Sequence, residues 1–181
     1  MKKYLCFITL CYFVITLSGC SINKLDVKGA KSTVELFLLA YQQRDNTCSK
    51  YLLGTDERST FNFDGVSKYF ANELTYDIKD VSTGENLCIV EIEIETIDFG
   101  QLFEDSYHEA ILVYGENEAS KYIKEILIQK ATSDDVKKTS ELYEIVVHYI
   151  NDEWKIEMDL NLSDALTGGM NTYIGSLKGG E

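Results

Sequence analysis

Residues 143–162 carry a pattern that few folds can accept. Tyr143, Ile145, Val147 and Tyr149 alternate with Glu144, Val146, His148 and Ile150. After Asn151-Asp152, the residues Trp154, Ile156, Met158, Leu160 and Leu162 alternate with Lys155, Glu157, Asp159 and Asn161. Side chains in a strand repeat every second residue, so each run presents one mainly apolar face. Joined across Asn151-Asp152, the two runs predict a hairpin with Tyr149 opposite Trp154, Val147 opposite Ile156 and Ile145 opposite Met158. A slip of one residue would set Glu144 and His148 against the apolar row, so burial specifies the register. The same register sends His148 to the outer face, opposite Lys155.

An earlier segment repeats the logic. Leu87 to Phe99 places Cys88, Val90, Ile92 and Ile94 on one face and Glu91, Glu93 and Glu95 on the other. Thr75 to Ser82, with Tyr76 and Ile78 on one side, reads as its partner across the turn Thr83-Gly84-Glu85-Asn86. The remaining segments have helical spacing. Val27, Ala30, Val34, Phe37, Leu38 and Tyr41 predict a helix over 28–43 capped by Asp26. A short helix carrying Cys48, Tyr51 and Leu52 follows a cap at Asp45 or Asn46 and stops at Gly54. A third helix, Gly65 to Leu74, is capped by Asp64 and turns Val66, Tyr69, Phe70 and Leu74 inward. Between the strands, 101–138 predicts a helical pair broken at Gly115. One stripe is Phe103, Tyr107, Ala110, Ile111 and Tyr114; the other is Ala119, Tyr122, Ile123, Ile126 and Leu127. Gly168-Gly169 ends a short helical turn after Asp164. Helices grouped apart from antiparallel strands define an α+β domain.

The N-terminus reads as an address. Lys2 and Lys3 precede the apolar run Leu5 to Leu17, and Ser18-Gly19-Cys20 closes it with small residues. This is the architecture of a secretory signal peptide over 1–19. The apolar run is shorter than the about 20 residues that a spanning helix needs. Leu17-Ser18-Gly19-Cys20 resembles a bacterial lipobox. The resemblance implies cleavage before Cys20 and a diacylglyceryl thioether, with fatty chains such as palmitate, on its sulfur. One acyl chain binds a membrane marginally, whereas two anchor stably. Residues 20–27 are then a lipid-anchored tether, of which Ser21 to Val27 spans at most about 25 Å. The domain is expected at 28–175, and 176–181 as a tail. The resulting location is the extracytoplasmic face of the cell membrane.

Charge narrows the partners. The chain holds 17 Lys and Arg against 30 Asp and Glu, a net charge of −13. Loss of Lys2 and Lys3 with the leader leaves 15 basic against 30 acidic residues, a charge of −15 over 162 residues. Nucleic-acid binding and polybasic membrane attachment both need the opposite sign. Zero Pro excludes a Pro-rich stalk. Once the leader is removed and Cys20 is lipidated, Cys48 and Cys88 are the remaining thiols. They either form one bridge closing a loop of about 40 residues or stay as two buried free thiols.

The segments VELFLLAYQQRD (Val34–Asp45), NLCIVEIEIET (Asn86–Thr96), EIVVHYINDEWKIEMD (Glu144–Asp159) and DALTGGM (Asp164–Met170) appear in this order. In that order the mature chain resembles the lipoprotein branch of the nuclear-transport-factor-two-like, or cystatin-like, superfamily. The resemblance implies a curved antiparallel sheet wrapped on N-terminal helices, cone-like, with 101–138 as an inserted helical pair. It also implies a pocket between sheet and helices, for which Tyr41, Tyr76, Tyr143, Tyr149 and Trp154 are the candidate lining residues. An aromatic-lined pocket suits a small apolar ligand.

Chemistry is poorly signalled. No inward carboxylate pairs with a His, as general acid–base catalysis requires. His108 and His148 lack metal-ligand spacing. Glu91, Glu93 and Glu95 read as a wet strand face. Gly29-Ala30-Lys31-Ser32-Thr33 lacks the glycines of a phosphate loop and no strand precedes it. There is no Gly-x-Ser-x-Gly turn. The sequence therefore predicts a non-enzymatic, membrane-anchored binding module without cofactor or metal. Its partner is an envelope protein or a small apolar molecule, and the inserted helices and the outer sheet face around Val146 and Ile150 are the expected contact surfaces. Two alternatives remain: an enzyme using the cone pocket, and a structural subunit of an envelope or secretion assembly.

Overall fold

A computed structural model describes residues 26–54, 61 and 63–178. The expected leader, Cys20 and most of the expected tether lie outside the described residues, as do 179–181 of the expected tail.

Helix α1 (Val27–Gln42) turns Ala30, Val34, Phe37, Leu38 and Tyr41 to the interior. Their spacing of three and four residues makes one continuous stripe. Asp26 holds the N-cap position without a side-chain capping bond. The helix ends where Arg44 turns left-handed at φ 57°. Asp45 then caps a 3-10 helix (Asn46–Tyr51) by accepting from the Thr47 N–H at 2.8 Å. The third helix, α2 (Ser67–Glu73), starts two residues later than the spacing predicts.

Strands β1 (Thr75–Thr83), β2 (Leu87–Ile97), β3 (Lys138–Ile150) and β4 (Glu153–Ile156) form one antiparallel sheet in the order β1-β2-β3-β4. The fold is α+β. The predicted hairpin register holds: Val147 pairs with Ile156, His148 with Lys155 and Tyr149 with Trp154. Asn151 and Asp152 have φ of 52° and 65°. Two left-handed residues give a turn whose twist matches the strands, and Asn and Asp tolerate that conformation.

Beyond Ile156 the expectation fails. Pairing ends after the Glu157 N–H donates to the Val146 carbonyl at 2.9 Å. Asp159 accepts from the Leu162 N–H and starts α5 (Leu160–Thr167), so Ile145 has no Met158 opposite it. Leu160 and Met158 are exposed, and Leu162 is buried through its helical spacing with Ala165 and Leu166. Residues four apart satisfy both a two-residue and a helical period, which is why this segment misreads as strand. Where one short helical turn is expected after Asp164, the chain forms two helices, α5 and α6 (Met170–Lys178). Gly168 ends α5 at φ 62°, as its position predicts. A Cβ there would lie 1.7 Å from the Ile97 carbonyl oxygen. Only glycine allows this contact.

The inner sheet face carries Cys88, Val90, Ile92, Ile94, Ile145, Val147 and Ile156, packed against α1 and α5 in one buried cluster. The carboxylates Glu91, Glu93 and Glu95 alternate with that row and face outward.

Helices α3 (Phe99–Tyr114) and α4 (Glu116–Ala131) are inserted between the paired strands β2 and β3. Gly115 separates them at φ 78°. Asp98 caps α3 through the Gln101 N–H. The roots of the pair join Phe70, Ile97 and Tyr173 in a second cluster. Farther out, a third cluster of Ala110, Ala119 and Ile126 belongs to the two helices alone. The pair leaves the sheet where Ile97 meets Lys138. The start of α1 lies at the other end, where Gly29 abuts the Trp154 indole. Among the described residues, no helix is long and apolar enough to cross a membrane.

Candidate interaction surface

The residues expected to line a pocket differ in burial. Tyr41 is core: its hydroxyl donates to the Leu166 carbonyl at 3.1 Å, and Phe37, Phe61 and Phe63 surround its ring. Burial raises its ionisation well above the usual phenol range. Tyr143 is half-buried and donates to Glu141 at 3.3 Å; burial, then the Glu141 charge, push it up to about 12. Tyr149 is exposed and sits 5.1 Å from the Trp154 ring. Trp154 lines a shallow cleft with Thr33, Lys50, Tyr51, Glu153 and Lys155. Tyr76 lines a different one with Asp77, Glu93, Glu95 and Ser140. Among the described residues, the clefts at Tyr76 and Trp154 share no residue, and Tyr41 is packed solid. Tyr41 is thus core, Tyr76, Tyr143 and Trp154 are partly buried against the same cluster, and Tyr149 is exposed.

Cys48 and Cys88 are not bridged; both are buried free thiols in the main cluster. Burial pushes the Cys48 thiol up to about 11, with the Asp45 charge adding to it. Burial also raises Cys88. Thiols held neutral in this way are poor nucleophiles. His148 takes the outer-face position that its register predicts and contacts Glu157 at 2.8 Å. His108 is exposed on α3. Among the described residues, no group of three His, Cys, Asp or Glu is placed to hold a metal ion.

What the structure does assemble is an apolar stripe along the arm formed by α3 and α4. Sequence spacing assigns Phe103, Tyr107, Ala110, Ile111 and Tyr114 to one buried face. The buried residues of α3 are instead Phe99, Leu102, Ser106 and Ala110. Ser106 is tolerated inside because its hydroxyl donates to the Leu102 carbonyl at 2.6 Å. Small side chains at Ser106, Ala110 and Ala119 let the helices approach closely, and the larger residues rotate outward. Phe99, Phe103 and Tyr107 form a ladder with ring centroids 6.0 and 6.3 Å apart, and Tyr173 closes its inner end. Tyr107 is exposed. At the tip, Tyr114 stacks on Tyr122 at 4.0 Å. Leu112 is 81% exposed and Val113 62%. The consecutive residues Leu112, Val113 and Tyr114 make the tip apolar, and exposed apolar patches mark contact surfaces. Rigid aromatics supply contact area at little entropic cost. The arm's charges are local: Lys130 pairs with Glu109 at 2.8 Å, and Lys121 pairs with Glu118.

The periodicity of α3 was visible in the sequence, but which side of it would be covered was not. Ser106 was the available signal. A hydroxyl between Leu102 and Ala110 at helical spacing marks a close helix–helix seam. No protein-family model matches this chain, and no curated protein or solved structure matches it.

Proposed function

We propose that the chain is a lipid-anchored extracytoplasmic binding module that engages an envelope protein through the tip of its helical arm. The observation that carries this reading is the arm's polarity. Its root lies at the sheet end opposite the start of α1, and its tip exposes Leu112 and Val113. A tether ending at Val27 would hold the first end near lipid. Each arm helix has sixteen residues and is about 24 Å long. An apolar tip on such an arm has the reach to meet a neighbouring protein. Glu116, in the first turn of α4 beside the tip, suits a protein partner better than an anionic bilayer. The cystatin-like reading draws support from the antiparallel meander with α1 laid on one face.

Two measurements test the proposal. Cys20→Ser should release the mature protein from the membrane fraction, and the native protein should carry the mass of two fatty chains. Leu112→Ser with Val113→Ser should leave the unfolding midpoint unchanged, since exposed substitutions cost less than about 0.5 kcal/mol. The same pair should reduce site-specific crosslinking from the arm to its envelope partner by at least tenfold. Undiminished crosslinking would place the contact elsewhere.

A further inference from the structure

The two edges of the sheet are guarded differently. The β1 edge has a register shift between Ile78 and Asp80, and Lys79 bridges Asp77 and Glu93 at 2.8 and 2.6 Å. A bulge and a lysine are standard protections against strand addition. At the other edge, among the described residues, the stretch Ser140–Glu144 of β3 carries neither a bulge nor a lysine. Strand β4 covers β3 only over Val147–Ile150, and the last bond is that from Glu157 to Val146. Residues 138–145 of β3 lie beyond that last bond.

Backbone direction along β3 can be assigned. The Tyr149 N–H donates to the Asn86 carbonyl on the β2 side, whereas Val146 accepts from Glu157 on the β4 side. Groups alternate along a strand, so odd residues of β3 bond β2 and even residues face the other way. Ser140, Leu142 and Glu144 therefore aim their N–H and C=O groups past the end of β4. Among the described residues no hydrogen bond engages these groups. All three residues are exposed, Leu142 by 58%.

The side chains across the sheet say what would suit this edge. Asp80, Glu91 and Glu144 lie side by side on the outer face, one from each of three strands. Among the described residues none of the three has an ion pair within 4.0 Å. Like charges directly opposite each other destabilise a sheet. A cation added beside Glu144 would relieve the row. Next along, Leu142 offers an apolar surface, then Ser140 a small polar one.

We propose that the Ser140–Glu144 edge accepts an extended segment of a partner protein as an added antiparallel strand in line with β4. The segment reads, from its N-terminus, a basic residue, any residue, an apolar residue, any residue, and Ser or Thr. The basic residue pairs with Glu144, the apolar one with Leu142 and the hydroxyl residue with Ser140. Main-chain bonds give the affinity and the alternate side chains give the specificity. A second copy of this chain is a poor occupant. It brings a net charge of −13 and its own unpaired Glu144 to the same edge. This surface is separate from the arm tip, so either proposal can fail alone.

The probe is a nine-residue peptide, Gly-Thr-Arg-Thr-Val-Thr-Ser-Thr-Gly, added to the full chain in detergent micelles. Amide hydrogen exchange at Leu142 and Glu144 should slow at least tenfold when it binds. Replacing its Arg by Glu should weaken binding at least tenfold, and so should N-methylating its Val. Leu142→Pro removes one outward N–H without touching the β2 ladder, because proline is tolerated where the N–H faces solvent. It should also abolish binding. Should that variant not fold, the N-methyl peptide on the wild-type chain decides. Equal binding of the Arg and Glu peptides, undiminished binding of the N-methyl peptide, or no protection at Leu142 and Glu144 would overturn the proposal. So would protection that develops without peptide as protein concentration rises, since the occupant would then be a second copy.

Discussion

Helices α1 and α3 are both sixteen residues long, and each carries an apolar stripe, yet they end in different surroundings. The stripe of α1 is buried from Ala30 to Tyr41 because the sheet runs beneath its whole length. The stripe of α3 meets Ile97, Phe70 and Tyr173 only near its root and depends on α4 beyond it. The outer part of α3 therefore leaves Tyr107, Leu112, Val113 and Tyr114 exposed. Helical spacing tells that a face is apolar. How much of that face is covered depends on what the chain places opposite it.

The largest test of this contrast is Phe37→Ala. Phe37 is fully buried between α1 and the sheet. Truncating such a residue costs about 3–5 kcal/mol. In urea unfolding the whole transition should move to lower denaturant with one midpoint. A loss below 1 kcal/mol would mean that the α1 layer is not the principal core.

Ile126→Ala is the matched change in the arm. Ile126 is buried in the small cluster with Ala110 and Ala119. We expect about 2–3 kcal/mol, confined to α3 and α4. Amide exchange should quicken there while β2 and β3 keep their protection. Uniform quickening across the chain would make arm and sheet one cooperative unit and erase the distinction.

The smallest effect is alkaline. The main cluster contains Cys48, whose neutral thiol is held up to about 11 by burial, and the arm contains no cysteine. The unfolded thiol ionises first, so this contribution to stability is intact below its ordinary 9.0 and is lost as pH rises towards 11. Cys48→Ala should flatten that part of the stability profile and leave exchange in the arm unchanged. An unaltered slope would show that the loss arises elsewhere, for example at Tyr143. In the folded protein both thiols should resist a thiol reagent at pH 8 and react on unfolding.

Much of this molecule was legible in the sequence for a local reason. The alternation from Cys88 to Ile94 and from Tyr143 to Tyr149 fixes which side chains face inward, and Asn151-Asp152 fixes the turn. The stripe of α1 and the breaks at Gly115 and Gly168 follow in the same way. The candidate site was harder to read. Tyr41, Tyr76, Tyr143, Tyr149 and Trp154 came from the fold resemblance, and no sequence period tells how deeply each is buried: Tyr41 is core, three pack partly buried against its cluster and Tyr149 is exposed. The segment 157–162 misread because its period suits strand and helix alike, and the Asp159 cap decides between them.

By itself the sequence determined the periods, the turns, the acidic charge and an apolar run that precedes Cys20. Each depends on neighbours a few residues apart, where backbone geometry leaves little choice. Only the tertiary structure decided that the two core thiols stay apart, that Phe99 is covered while Tyr107 and Tyr114 on the same helix stay exposed and that β4 stops short of covering β3. These depend on which surfaces meet after distant segments pack. A one-dimensional pattern records that a face prefers burial, but not which distant residues arrive to bury it.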